Sequence, residues 1–409
     1  MPISLPSTLR NRLIEGITQA LAGCSVVSGA LLTYSSQMWS LHELVAKGSR
    51  TAQELESCLG DRHVTDFVQS ELSSHRIGAW TGDGSVASFQ QVLGAHAPRE
   101  WAEGLVAALE TLPWQYTAYA ALPGQITTAI LGGQSIELTS TVKVVGVADL
   151  PPLPSPPLPL TLGALIEERP EWHMECLYTQ IDFSGYISKN RESATVHQLI
   201  NSTFSLYGVA LASGLLVHHP WIVTTSRASI YGSQVFKVEG GGKTFSTSLD
   251  FDPSHVKELD RLGHFAGATD GATSVGIGAR FQTIGRVLAK ADRRLLNASR
   301  WFFDSHCGSS DQVRFVQICT ALEILLGDER QGRETGLSTL MANRCAYLLG
   351  NSNIERSNIL SGFKQGYDIR SKIVHAGKNT LSSAEKGHFH YMQQLCALVI
   401  RKECNELTT

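Results

Sequence analysis

Apolar residues recur every three to four positions through residues 8–110 and again beyond Phe281, the spacing of helices that bury one face. Between these stretches the pattern shortens. The run "YTAYAALPGQITTAILGGQSIELTSTVKVVGV" alternates β-branched and polar residues, with turn signals at Pro123-Gly124 and Gly132-Gly133, so 115–148 reads as strands. Residues 172–300 are mixed. "MECLYTQIDFSGYI" and "SIYGSQVFKVEGGGKTFSTSLDF" predict strands, with helices at "TVHQLINSTFSLYGVALASGLL" and "HVKELDRLGHFAG". The tract "EGGGK" lacks the first glycine and the Ser/Thr helix start of a phosphate loop, so it reads as a hairpin tip. His218-His219 fall at the end of a strand-like run before Pro220.

From Phe281 onward the pattern is helical. "FQTIGRVLAKADRRLLNASRWFF" predicts one helix with Ile284, Val287, Leu288, Ala291 and Leu295 on one side. Arg286, Lys290, Arg293 and Arg294 then share the other side, either a solvated face or a stripe for phosphates. "DQVRFVQICTALEILLGD" follows, then "TGLSTLMANRCAYLLG", expected to be capped by Thr335 and stopped by Gly350. "IERSNILSGFKQG" leads into "YDIRSKIVHAGK", and a Ser382–Glu385 capping box opens the last helix. Proline lacks a donor and fixes φ, so "LPPLPSPPLPL", Leu150–Leu160, reads as a stiff linker. The fold expected is α+β and multidomain, an all-α C-terminal bundle preceded by mixed α/β domains. Its segments are 1–149 (α+β), 150–160 (linker), 161–278 (mixed α/β) and 279–409 (helical).

Composition changes this picture little. The 409 residues are 43% hydrophobic and 17% charged, with a formal net charge of −3. Such a balance excludes a protein coated in basic residues, so any nucleic-acid contact must be a local patch. None of the eight cysteines forms C-x-x-C or another zinc-like spacing, and Cys319, Cys345 and Cys396 fall on apolar helix faces. Reduced, packed thiols in a cytoplasmic protein are expected. "ALAGCSVVSGALL" near the start is broken by Gly and Ser and lacks a basic leader at Met1, which argues against a signal peptide. No run is apolar and long enough for a bilayer, so no membrane association is expected. His388 and His390 diverge on a helix, and no metal or other cofactor is expected.

Within the first helical region, "TAQELESCLG" and "HVTDFVQSELSSHRIG" read as helix, turn, helix, followed by a Gly-Asp-Gly hairpin. Thr51 is expected to cap the first of these helices, with Glu54 completing a capping box. The arrangement resembles a winged helix–turn–helix over about residues 40–90. Its second helix offers Arg62, His63 and Arg76 against Asp61, Asp66 and Glu71, a thin grip on phosphates. A structural or protein-contact role competes there with DNA binding.

The strongest chemistry lies in Arg370 and His375. A histidine titrating near neutrality can take the proton of an RNA 2′-hydroxyl or give one to a leaving oxygen. An arginine presents a permanent forked cation to the phosphate as charge gathers on it. Together they suffice for cleavage through a 2′,3′-cyclic phosphate without a metal. Five residues is about 140° around a helix, so the two do not share a face. Gly377 is placed to end the helix just past His375. Similar spacings at Arg191–His197 and Arg300–His306 read as accidents.

The order "FVQICTALEILLG", "LSTLMANRCAYLLG", "FKQGYDIRSKIVHAGK" resembles the Apea-like branch of the HEPN superfamily over residues 310–402. That resemblance implies a dimerising helical bundle in which Arg370 and His375 are an R-x4-H ribonuclease pair. It implies that Glu323, in the earlier helix, supports the arginine, and Glu323 indeed falls beside Val316, Cys319 and Leu326, where an unpaired carboxylate is costly. Tyr367 and Asp368 precede the arginine as orienting or RNA-contacting groups, and Ser371 follows it with a hydroxyl able to donate to phosphate. Arg286, Lys290, Arg293, Arg294, Lys372 and Lys378 are candidate RNA contacts. Expected partners are an RNA substrate, a second copy or a higher oligomer, and an unidentified trigger sensed by the N-terminal region. The resemblance further implies a toxin-like or anti-phage defence role. The alternatives are a non-catalytic HEPN dimerisation or sensing module and a winged-helix DNA-binding regulator.

Overall fold

Ser49, Ser88, Asp252, Ser310 and Ser352 each start a helix by accepting a backbone N–H of its first turn, which satisfies a donor the helix itself leaves open. The computed structural model describes residues 2–74, 81–123, 135–154, 171–173, 176–188, 193–218, 231–264, 271–290, 293–328 and 336–408. The fold is mixed α/β with a helical C-terminal region, and its residues form two compact units. The first comprises 1–116, 183–199 and 236–247, and the second 117–182, 200–235 and 248–409. Both units are interleaved along the chain, a different division from the serial segments drawn on sequence.

In the first unit, α1 (Ser7–Ala22) buries Leu9, Leu13, Ile14, Ile17 and Leu21, the one-sided set that its apolar spacing requires. β1 (Ser25–Val27) lies between β2 (Leu31–Thr33) and β3 (Val86–Ser88) in an antiparallel three-stranded sheet. α2 (Arg50–Leu59) and α3 (His63–Ser74) stand between β2 and β3, and α4 (Phe89–Leu93) and α5 (Ala97–Glu110) follow. Leu13, Leu55, Phe67, Phe89, Val106 and Tyr186 meet in this unit's core. The cap of α2 is Ser49, whose Oγ accepts from Ala52 N at 3.1 Å, and not the expected Thr51. The helix begins at Arg50, two residues earlier than a Thr51 cap allows, and Glu54 pairs with Arg50 at 2.8 Å instead of closing a box.

A six-stranded sheet contains β4 (Trp114–Ala121), β5 (Ile136–Glu137), β6 (Val142–Val145), β7 (Tyr178–Gly185), β9 (Gly232–Glu239) and β10 (Gly242–Asp250). Its order is β10-β9-β4-β7-β6-β5. β6 pairs antiparallel with both neighbours, Val144 opposite Ile136 and Val142 opposite Ile181. Gly240 and Gly241 make the β9–β10 hairpin tip, as the sequence suggested. The expected turn glycines Gly124, Gly132 and Gly133 lie outside the described residues, as does the linker beyond Pro154.

The second unit's helices are α6 (Ala194–Ala212, which begins in the first unit), α7 (Pro253–Leu259), α8 (Gly271–Ala289), α9 (Arg293–Cys307) and α10 (Asp311–Leu326). They are followed by α11 (Leu337–Leu349), α12 (Asn353–Ala376) and α13 (Ser383–Thr408). α10 packs on α9, α11, α12 and α13. Phe303, Phe315, Phe363, Phe389, Met392 and Cys396 interlock between these helices with almost no exposure. Each such aromatic ring contributes roughly 1.5–3 kcal/mol by leaving water. All eight cysteines are buried and none forms a disulfide, and burial pushes the thiols of Cys319, Cys345, Cys396 and Cys404 upward. No described helix is long and apolar enough to cross a membrane.

Two helix boundaries differ from the apolar spacing. Phe281–Phe303 is two helices, α8 and α9, so the basic stripe does not run along one face. Arg294, at the start of α9, bonds the Leu325 carbonyl at 2.8 Å and Glu403 at 2.7 Å, which fixes that start against α10 and α13. Likewise "HVKELDRLGHFAG" is helical only to Leu259. β11 (Leu262–His264) then pairs with β8 (Leu216–His218), Leu262 opposite His218. A strand partner wins there over helix propensity, next to a glycine that helices tolerate poorly. α11 begins at Leu337 with Gly336 at its cap, and Thr335 lies outside the described residues. The Ser382–Glu385 box is formed, with Ser382 N on Glu385 Oε2 at 2.8 Å.

Candidate active site

α12 runs unbroken from its Ser352 cap to Ala376 and carries Tyr367, Asp368, Arg370, Ser371, Lys372 and His375 in a little over two turns. Gly377 ends it in the left-handed region (φ 64°), where a residue without Cβ is at no disadvantage, and its N–H returns to the Lys372 carbonyl.

Glu323 of α10 faces this helix. Its Oε1 lies 3.2 Å from Arg370 Nη2 and accepts the hydroxyl of Tyr367 as well. Phe363 stacks flat against Tyr367 at 5.6 Å, and the Arg370 guanidinium sits 5.9 Å from the Tyr367 ring centre. Burial first, and the Glu323 carboxylate second, push the Tyr367 phenol upward, so it stays a donor. The Arg370 and Glu323 side chains are 25% and 27% exposed, held yet open on one side. Arg370 Nε is enclosed and has no hydrogen-bond partner among the described residues. Nη2 is thus the guanidinium nitrogen that meets Glu323.

His375 is elsewhere on the same helix. It is exposed in the last turn, as are Asp368, Ser371 and Lys372. The structure thus brings Glu323, Tyr367 and Arg370 together and does not gather His375 with them in one chain. Among the candidate RNA contacts, Lys378 pairs with Glu385 at 3.1 Å and Arg294 with Glu403. Arg286, Lys290 and Arg293 are exposed around the α8–α9 break.

Removing Glu323 isolates a partly buried cation. Glu323→Ala is expected to cost about 1–3 kcal/mol, while the double variant with Arg370→Met recovers part of the loss. A chemical-denaturation cycle over the four proteins checks this; strictly additive effects would show that the two side chains are not coupled.

In the segment that resembles a winged helix in sequence, Arg62 lies 5.3 Å from the Trp39 ring centre and 3.8 Å from Asp66. His63 is buried and Arg76 lies outside the described residues. Among the described residues, the arginine next to that helix, Arg62, is already engaged with Trp39 and Asp66.

Sequence reasoning passed over His306, whose two ring nitrogens are shut from solvent without a partner among the described residues. His218 lies 5.0 Å from it, ring to ring, and bonds the buried Glu258 at 2.9 Å. Burial first, then His218, Arg314 and His390, hold the His306 pKa well down. Burial and the nearby His42 likewise lower His63 to about 4, and its Nδ1 accepts from Val64 N. Both folded pKa values lie below the unfolded value, so the stability they contribute is intact above about pH 6.5 and is lost as pH falls through the folded values, about 4 for His63. Melting temperature is expected to fall between about pH 7 and 5, and His63→Leu and His306→Phe to flatten the fall. An unchanged slope in both variants would assign the acid sensitivity to other groups.

Among the described residues no group of three or more His, Cys, Asp or Glu side chains is placed to hold a metal ion. Comparison with protein-family models, curated proteins and solved structures yields no match for the chain.

Proposed function

We propose that the protein is a metal-independent RNA endonuclease of a bacterial anti-phage or toxin-like defence system, acting through Arg370 and His375 as the HEPN resemblance implies. The observation that carries the proposal is an arginine held through Nη2 by Glu323, itself bonded by Tyr367, on the same helix that exposes His375 to solvent. That contact sets the fork's direction and leaves Nη donors, though not the enclosed Nε, for an anionic oxygen.

In the reaction, one imidazole removes the 2′-hydroxyl proton and the 2′-oxygen attacks phosphorus. Arg370 faces the charge on the non-bridging oxygens, and an imidazolium protonates the departing 5′-oxygen. The products are a 2′,3′-cyclic phosphate and a 5′-hydroxyl. Because the two side chains diverge within one chain, a second copy of α12 across a twofold axis completes the set. Exposed Tyr347 of α11 and Ile354 and Val374 of α12 supply apolar surface for that pairing.

A second reading has its own support. Arg370 is engaged with Glu323 while His375 stands about 140° away around the helix, as suits a dimerisation or sensing module without catalysis. The two separate on incubation of the full chain with single-stranded RNA in EDTA, followed by end-group analysis. Cyclic-phosphate ends that require both side chains support the nuclease; intact RNA at every concentration tried supports the module.

A further inference from the structure

A cavity of about 160 Å³ lies within the first unit, between α3, β4, β9 and β10. It has room for about five waters, the size of a small organic molecule. Two opposite charges border it. Glu71 comes from α3 and accepts the Tyr186 hydroxyl at 2.6 Å. Lys237 comes from β9, its ammonium 3.3 Å from the Trp114 ring centre and 2.6 Å from Glu239.

Each charge is already partnered, Glu71 by more than Tyr186 alone, and each group has more hydrogen-bonding positions than one partner uses. A carboxylate accepts up to about four hydrogen bonds, an ammonium donates three. Glu239 is a surface group with a side chain 66% exposed, so its hold on Lys237 is the kind that solvent already weakens. Tyr116, 2% exposed, accepts from Ile187 N at 3.4 Å, and its own hydroxyl hydrogen has no acceptor among the described residues. Ser246 and Thr247 of β10 border the same space, and because neighbouring strand residues face opposite ways only one of their side chains turns toward it; Trp114 and Ile187 supply its apolar wall.

We propose that this cavity binds a small zwitterion, a molecule with one carboxylate and one amino group on a short carbon skeleton, of α-amino-acid size. Lys237 and Tyr116 take the carboxylate; Glu71 takes the ammonium; Trp114 and Ile187 cover the side chain. A simple anion would set its charge beside Glu71, and a simple cation beside Lys237. A molecule carrying both charges meets each with its opposite. The site is independent of the chemistry at Arg370.

The test is calorimetric titration and thermal melting of the full chain with each of the twenty α-amino acids, at concentrations up to about 10 mM. For any amino acid that binds, the matching amine without the carboxylate and the matching acid without the amine are titrated too. At least one amino acid is expected to bind and raise the melting temperature, with both truncated analogues at least roughly tenfold weaker. Glu71→Gln and Lys237→Met are each expected to weaken binding by a similar factor. The proposal is overturned if no amino acid binds, if an amine or acid alone binds as tightly, or if binding survives both substitutions. The analogue comparison uses only the unaltered protein, so it decides the matter even where a variant fails to fold.

Discussion

His375→Ala is expected to lower RNA cleavage in EDTA by about 10²–10⁴-fold, the range for loss of a positioned general acid or base. The fold should not notice. His375 is exposed in the last turn of α12, so the melting temperature is expected to stay within the change produced by about 0.5 kcal/mol. That separation of activity from stability makes His375 the cleaner of the two probes. Arg370→Ala is expected to lose about 10²–10³-fold, as for removal of an oxyanion donor, and also some stability through Glu323. Arg370→Lys keeps the charge and loses the fork, so activity between those of wild type and alanine is expected. A substrate with a 2′-deoxyribose at the cleaved position should be inert, since the attacking oxygen is gone. Cleavage in EDTA that persists in both alanine variants would end the nuclease reading.

Shared composition of the site adds a second arm to this expectation. In a mixed dimer of Arg370→Ala and His375→Ala chains, one arginine and one histidine from different copies still face the common phosphate. Mixing two inactive variants is then expected to restore part of the activity. A site complete within one chain would give none, and would contradict the divergence of the two side chains on α12.

The helices around α10 and α12 were legible in the sequence because local signals agree with packing there. Ser352 caps, Gly377 stops, and apolar residues fall at the positions that α10 and α12 bury. Glu323 could be matched to Arg370 through the HEPN resemblance, with which the setting beside Val316, Cys319 and Leu326 agrees, since a carboxylate there needs a cation. What the pattern concealed was decided by contacts distant in sequence. The α8–α9 break coincides with Arg294 reaching Leu325 and Glu403, and Gly263 enters a strand because β8 is there to pair with. The cavity in the first unit joins residues as far apart as Ser70 and Thr247, which no spacing rule relates. His306 was dismissed as a chance match, and only its enclosure beside His218 gives it physical weight.

The second large effect concerns packing. Gly208→Ala is expected to destabilise the protein by about 1–3 kcal/mol or more. A Cβ built at Gly208 of α6 would lie 1.9 Å from the Ser299 carbonyl oxygen of α9 and 2.6 Å from its carbon. These are backbone atoms in the middle of a helix, so no side-chain rotation relieves the overlap. The helices would have to separate, and the rings that lock them, Phe204 stacked on Phe303 at 5.4 Å and Tyr207 beside it, would lose contact. Gly104→Ala in α5 is the control. It is exposed, nothing lies within 4 Å of its built Cβ, and the gain in helix propensity is up to about 1 kcal/mol. Thermal melts of the two variants should therefore move in opposite directions from the parent, Gly104→Ala upward and Gly208→Ala downward by several degrees. A Gly208→Ala protein that melts with the parent would mean that α6 and α9 do not approach as closely as Gly208 requires.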